Sequence, residues 1–520
     1  MLLNYIKIAI RNIQRNKLHS FINILGLSIG LTCTILILLY VLDEFSYDRH
    51  NSKHDRIYLV ESMTEYEDEV FSTPYTGAPL MNVLKSEYPD IEKAARIRFA
   101  GRKIFEDKNG GIIREDKSIY YADPEIFNIF DHEFVYGSSE GALDSPHTMV
   151  LSEKLAKKYF GEQNPVGNML KVHNGNSYTV TGVFKNLPKN TSFPYDGLIT
   201  MRDIPERTGN AYQIFTGFDV TTFILLKKNG DIKTLSEDYK RFQKKHMPEP
   251  DYDKELEYTL LTDYYLQQKV TFKLKFTRLE RANFLSIIAF LILMIACINY
   301  MNLETARSMG RAKEVGVRKV LGAVRSSLIR QFLCESIIIT LFAMIIAIAL
   351  VEMLLPSFNI LSSKEFSIAE TGGISLLLTI FTVTLGTGVI AGSYPAIFLS
   401  KYSPTRVLGK NCPSGAGRGI LRKLLVVIQY TISIVMIICM MLSIKQMNFV
   451  SSIDPGFNKD GVFDITPLDK GSRNKLPVLE DTISKYSGIS AAARTSLSIS
   501  VINESGGGPT YACKVEGPGG

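Results

Sequence analysis

Five apolar runs constrain this chain more than any other feature: Phe21 to Leu42, Phe284 to Leu303, Ile337 to Leu355, Ile374 to Leu399 and Leu424 to Leu442. Each has 19 or more residues, and a helix rising about 1.5 Å per residue needs roughly 20 to cross a hydrocarbon core about 30 Å thick. The first run holds fourteen Leu, Ile, Val or Phe residues, which at about −0.3 to −0.6 kcal/mol each favour insertion by roughly 6 kcal/mol. It is too long for a cleaved signal peptide, and no small-residue cleavage site follows Leu42, so it reads as a retained span. A chain that is 46% hydrophobic and 21% charged is neither disordered nor a nucleic-acid-binding tail. Its six cysteines (Cys33, Cys297, Cys334, Cys412, Cys439, Cys513) form no C-x-x-C pair, which points to neither a disulfide framework nor a zinc site.

Orientation follows from the basic residues near the span ends. Residues 1–20 carry four (Lys7, Arg11, Arg15, Lys17) and no acid; 304–330 carries seven against two acids; 400–423 carries six and none. The long stretch 43–283 holds 33 basic and 38 acidic residues. A cytosolic N-terminus satisfies the rule at every loop and places 43–283 outside a plasma (inner) membrane. The fold class expected is therefore an α-helical integral membrane protein with five transmembrane helices and a large mixed α/β extracytoplasmic domain. Residues 1–20 form a cytosolic amphipathic segment, 21–42 the first span, 43–283 the outer domain, and 284–399 spans two to four, with the cytosolic stretch 304–330 between the second and third. A cytosolic linker, 400–423, leads to the fifth span, 424–442, and an outer segment, 443–520. A sensor kinase needs a folded cytosolic catalytic domain, and the loops here are too short for one.

Within the outer domain, 56–60, 178–184 and 222–226 are rich in β-branched and aromatic residues and read as strands. Ser152 to Phe160 reads as a helix capped by Ser152, with Leu155 and Tyr159 on one face. A basic segment, a span and an outward continuation recur from Arg418 through Asp464. A repeat of roughly 400 residues implies a full molecule near 800, so 443–520 is expected to be the start of an incomplete second outer domain and the chain a fragment or a truncated gene product.

Several motifs invite chemistry and lose it in context. Gly26-Leu27-Ser28-Ile29-Gly30 matches G-x-S-x-G, but inside a span no water or substrate reaches it. The same residues form Gly26-x-x-x-Gly30, repeated as Gly388-x-x-x-Gly392, a spacing that lets helix backbones approach closely; the blander reading is that Gly is frequent in any span. No G-x-x-x-x-G-K-[ST] is present, so the polypeptide is not expected to bind ATP itself or to act as an enzyme alone. His50 and His54 with Asp55 lack the Glu of H-E-x-x-H and read as a solvated turn, leaving no metal site. Glu335, just before the third span, and Glu352, near its outer end, lie close enough to the interfaces to reach water. Asn299, Asn302 and Gln429 are candidates for hydrogen bonds between helices.

The most informative stretch is 302–330. Glu304, Arg307, Arg311, Glu314 and Arg318 recur at spacings of three and four, placing a charged stripe on a helix that extends the second span. Glycines at 310, 316 and 322 then permit bends. Charge alone equally fits a loop that only anchors topology; length, spacing and glycine punctuation favour a docking element.

Glu314-Val315-Gly316-Val317-Arg318-Lys319-Val320-Leu321-Gly322-Ala323 resembles the E-x-G-[IV]-R-K-x-L-G-A motif of ABC-transporter permeases of the MacB and FtsX-like family. Lys7 to Asn12 leading into Leu25-Gly26-Leu27, the run from Val150 through Phe160-Gly161 to Gly182-Val183-Phe184, and Ser393-Tyr394-Pro395-Ala396 are similar to the same family. The resemblance implies a MacB-like outer domain at 43–283 and an FtsX-like permease domain at 284–399. It implies a permease of an efflux or export system whose ATP is bound by a separate ATPase subunit, the chain itself holding no cofactor. Arg307, Arg311, Glu314, Arg318 and Lys319 are then expected as polar contacts to that ATPase, with Gly316 and Gly322 permitting close approach. Further expected partners are a second copy or pseudo-dimer half, a periplasmic adaptor or outer-membrane protein, and membrane lipid, with no nucleic acid. The cargo classes implied are peptides, lipids, lipoproteins or drugs. The alternative is a regulatory membrane protein that drives an extracytoplasmic hydrolase or signalling partner without transport.

Overall fold

All five apolar runs fold as long helices. A computed structural model describes residues 2–66, 69–101, 103–106, 112–116, 118–173, 175–204, 220–246, 254–267, 277–367, 373–400, 416–452, 475–486 and 488–489. The chain divides into two units, 1–43 with 280–459 and 44–279 with 460–520.

The chain opens with α1 (Leu2–Arg15), and α2 (Lys17–Ser46) carries the first apolar run. The outer unit follows as β1 (Ile57–Tyr66), β2 (Glu69–Thr73), α3 (Leu80–Glu87), β3 (Ile91–Phe99), β4 (Lys103–Glu106), β5 (Ile112–Asp116), β6 (Ile119–Ala122), α4 (Ile126–Ile129) and β7 (Phe134–Gly137). It continues through β8 (Thr148–Ser152), α5 (Glu153–Phe160), β9 (Met169–Lys171), β10 (Ser177–Phe184), β11 (Gly197–Thr200), β12 (Thr221–Leu226), α6 (Ile232–Glu237), α7 (Tyr239–His246), β13 (Lys254–Leu260) and α8 (Leu261–Gln267). Eleven strands form one sheet in the order β13-β1-β12-β3-β6-β11-β8-β10-β7, with β2 paired to β1 and β9 to β10. The pairs β6–β11 and β8–β10 are parallel, and the other pairs along that order are antiparallel.

The central strands β8, β11 and β12 are buried at every residue, because helices and loops cover both faces of the sheet. One apolar cluster gathers Phe184, Leu198, Phe223 and Ile126; another packs α3, α6 and α7 through Leu84, Leu235 and Phe242; a third joins Leu155 of α5 to Leu151 and Val180. The expected strands at 56–60, 178–184 and 222–226 fall in β1, β10 and β12. The expected cap is also present, Ser152 Oγ accepting from Leu155 N at 3.2 Å. Ser152→Ala should lower the stability of the outer unit by about 1 kcal/mol, read as a shift in its denaturant midpoint.

The outer unit also holds a partly buried imidazole. His132 Nδ1 lies 3.1 Å from Phe130 O and Nε2 lies 2.7 Å from Tyr195 Oη. Since a carbonyl only accepts, Nδ1–H donates to it and Nε2 accepts from the tyrosine. Phe127 and Phe184 meet the ring edge-on, and burial pushes the His132 pKa down to about 4.

The membrane-type unit continues with α9 (Arg278–Val320), α10 (Arg325–Ser362) and α11 (Gly373–Ser400), then a fifth long helix, Ala416–Ser452. Leu27, Leu31, Ile35 and Leu39 recur every fourth residue on α2, forming one buried stripe with Ala296 and Tyr300 of α9 and with Ile339, Ala343, Ala347 and Val351 of α10. The glycine pairs lie where these helices approach closely. A Cβ on Gly30 would stand 2.6 Å from Ala296 Cβ, and one on Gly26 would stand 3.3 Å from Asn299 Nδ2. On α11, a Cβ at Gly388 would meet Thr340 Oγ1 at 2.5 Å and Ile337 Cα at 3.2 Å, and one at Gly392 would meet Ser336 Cβ at 2.6 Å. Asn302 Nδ2 donates to Gln429 Oε1 of the fifth long helix at 3.5 Å, and many apolar side chains of that helix, among them Leu424, Val427, Ile434 and Met440, are exposed. Cys33, Cys297, Cys334 and Cys439 are free thiols.

Candidate functional site

The charged stretch after the second apolar run is a continuation of α9, which proceeds without interruption to Val320. Gly310 and Gly316 therefore do not interrupt the helix: a helix interior tolerates glycine at a cost of about 1 kcal/mol when its neighbours continue the hydrogen-bond ladder. Only Gly322 breaks the helix, at φ +91°. Ala323 N donates to Arg318 O at 3.0 Å and Gly322 N to Lys319 O at 3.1 Å, the paired bonds of a Schellman cap. An L side chain is disfavoured at that φ, which accounts for glycine there. α10 then begins at Arg325.

The tip of α9 is braced against its own neighbours. Val315 is buried with Leu328 and Phe332 of α10 and Ala396 of α11, and Gly316 is buried beside it. Arg318 Nη1 donates to Gln331 Oε1 at 2.9 Å. Lys319 Nζ donates to Ser400 O at 2.6 Å, and Arg325 Nε to Ser400 Oγ at 3.2 Å. Two cations thus converge on the last residue of α11, where the helix dipole leaves carbonyls unsatisfied. The side chains of Arg307, Arg311 and Glu314 lie outside the described residues. Of the expected contact residues, Arg318 and Lys319 bond within the chain, while Gly322 supplies the turn.

α1 completes this end of the unit. Tyr5 Oη lies 3.1 Å from Ser327 Oγ, and Asn12 Nδ2 donates to Glu335 Oε1. His19 Nε2 stands 3.5 Å from Glu304 Oε2. Glu335 is buried at 4% exposure, which corrects its reading as a span-end carboxylate in reach of water: the amide of Asn12, 323 positions away in sequence, takes the place of solvent. Glu352 is exposed. Asn12 closes the Lys7 to Asn12 segment, while Gln331, Ser400 and Tyr5 belong to this cluster without any local motif marking them. The one available signal is the alternation of polar and apolar residues along α1.

Comparisons with known proteins agree on the kind of chain this is. The profile of the MacB-like periplasmic core domain matches residues 20–241, and that of the FtsX-like permease C-terminal domain matches residues 286–404. The macrolide export ATP-binding/permease protein MacB of Bdellovibrio bacteriovorus is 26% identical over 260 residues, which is 50% of this chain and 38% of that protein. The chain thus spans about two fifths of that relative's length. The ABC transporter permease YvrN of Bacillus subtilis, itself uncharacterized, is 22% identical over 425 residues, covering 78% of this chain and 99% of that protein. The crystal structure of the periplasmic region of MacB from Actinobacillus actinomycetemcomitans covers 40% of this chain and 89% of its own, at 13% identity and a TM-score of 0.29.

Proposed function

The chain belongs to the ABC transporter permeases of the MacB and FtsX-like family, and on that premise we propose that it couples ATP hydrolysis by a separate ATPase subunit to movement of its outer unit for export or release of a cargo. The cargo classes are peptides, lipids, lipoproteins or drugs, and the membrane is the plasma (inner) membrane with the N-terminus cytosolic. The observation that carries this reading is the braced end of α9. A helix that leaves an apolar span as a basic rod, closed by a glycine cap and tied to α10 and α11, can accept a push without collapsing. In this reading Arg307, Arg311 and Glu314 meet the ATPase. Arg318, Lys319 and Gly322 position them, and the glycines of α2 and α11 keep the spans packed.

Affinity capture of the tagged full chain from membranes of its native host, with mass spectrometry of what accompanies it, tests the proposal. An ATPase subunit is expected with the unsubstituted chain and is expected to be lost on Glu314→Lys, while membrane insertion stays normal. Equal recovery of the ATPase with both chains defeats the docking role. A co-purifying exporter adaptor points to export, and a cell-wall hydrolase points to regulation without transport.

A further inference from the structure

α1 has two chemically distinct faces. One carries Tyr5, Ala9 and Asn12, which lie against α10, Ala9 being fully buried. The other carries Lys7, Arg11 and Arg15, spaced four apart and all exposed, followed by exposed Lys17 at the start of α2. Among the described residues none of these four cations meets a carboxylate, and no acidic residue precedes Asp43 in the sequence. Exposed apolar side chains, Ile10, Leu18 and Phe21, are interleaved with the cations. Only Asn16 separates α1 from the helix that carries the first apolar run. It keeps the connection helical, its N–H donating to Asn12 O at 3.2 Å and its carbonyl accepting from Ser20 N at 3.0 Å.

We infer that this outward face of α1 binds the headgroups of anionic phospholipids. A basic face with adjacent apolar side chains matches the boundary between phosphates and acyl chains. Attachment through one residue to a span holds the stripe at that depth. Each Lys or Arg near an anionic bilayer adds to the attraction, and the effect decays within a Debye length of about 8–10 Å. An acidic protein surface satisfies the cations but leaves Ile10, Leu18 and Phe21 in water, which favours lipid. The inference rests on the membrane placement proposed above but not on ATPase coupling, so either can fail without the other.

The chain contains no tryptophan, so Leu18→Trp installs a single indole beside the stripe. The full chain with this substitution is reconstituted in phosphatidylcholine bilayers containing either brominated phosphatidylglycerol or brominated phosphatidylcholine, and quenching is titrated. The anionic lipid is expected to associate at this site about fivefold or more tightly than the zwitterionic one. Adding Lys7→Gln, Arg11→Gln and Arg15→Gln should bring the ratio near one while quenching by brominated phosphatidylcholine persists. Raising the salt to about 0.5 M should reduce the preference in the chain that keeps the stripe. Equal quenching by both headgroups at low salt overturns the inference. So does absence of quenching by either lipid, which places the indole against protein or water. Phe21→Trp provides a second reporter should the substitution at position 18 disturb folding.

Discussion

Gly388→Leu is expected to pull α11 away from α10 and to be among the most damaging single substitutions in the membrane-type unit. Even a methyl group at that position meets Thr340 Oγ1 at 2.5 Å and the Cα of Ile337 at 3.2 Å, and a backbone atom cannot turn aside as a side-chain tip can. Overpacking of this kind costs about 1–3 kcal/mol, and rigid contacts push the value toward the upper end. Gly386, two residues earlier on the same helix, has open space where its Cβ would stand. Gly386→Leu should therefore cost nothing in packing and can gain up to about 1 kcal/mol by removing a helical glycine. Denaturing-detergent titration of the two variants decides the matter: equal midpoints show that the glycine spacing on α11 carries no packing role.

Acidification is expected to cost the outer unit up to about 3 kcal/mol through His132 alone. Its pKa falls from an ordinary value of 6.5 to about 4 on folding, and each unit is worth about 1.4 kcal/mol. The folded state takes up the proton less readily than the unfolded chain, so stability is intact above pH 6.5, declines as the pH falls toward 4 and levels off below it. Burial holds the His50 pKa below its ordinary value, which adds in the same direction. It raises the carboxyls of Asp48 and Glu61 despite the hydroxyls that bond them, and these act in the opposite sense. The contribution of His132 is therefore read as a difference. His132→Gln can still accept from Tyr195, and the gap in stability between the unsubstituted chain and this variant should narrow by about 3 kcal/mol between pH 7 and pH 4. Hydrogen exchange of β10 and β11 amides in the full chain, corrected for intrinsic rates, provides the measurement. A gap that is constant with pH rules out the His132 imidazole as the cause.

What the sequence made legible was whatever depends on neighbours in the chain. The apolar runs gave the long helices because each carries its own insertion energy. Tyr178 to Phe184 gave a strand because β-branched and aromatic side chains suit a pleated, half-buried surface. Ser152 gave a helix start because its hydroxyl reaches an amide three residues on. Relations between distant residues were not legible. Nothing local tells Gly197 to Thr200 to lie parallel to β6 and antiparallel to β8, since the same four buried residues satisfy either pairing. Glu335 looked like a span-end carboxylate until Asn12 came to lie against it. The spacing of Gly310, Gly316 and Gly322 permits a bend at each and does not say which of them ends the helix. Only the last has a cap and a following helix to stabilise a left-handed residue; the other two stay within a helix whose flanks continue it.

The continuity of α9 fixes an angular relation along its whole length. Forty-three residues without a break form a rod of about 65 Å in which each residue advances about 100° around the axis. The direction in which Val315 and Arg318 point is therefore locked in phase with the apolar face at Ala296 and Tyr300. One residue added or removed between 306 and 315 would rotate the tip by more than a quarter turn, carrying Arg318 away from Gln331 while leaving the composition of the stretch almost unchanged. Seven residues, close to two full turns, would nearly restore the phase. Length in this segment is thus constrained by periodicity more than by residue identity.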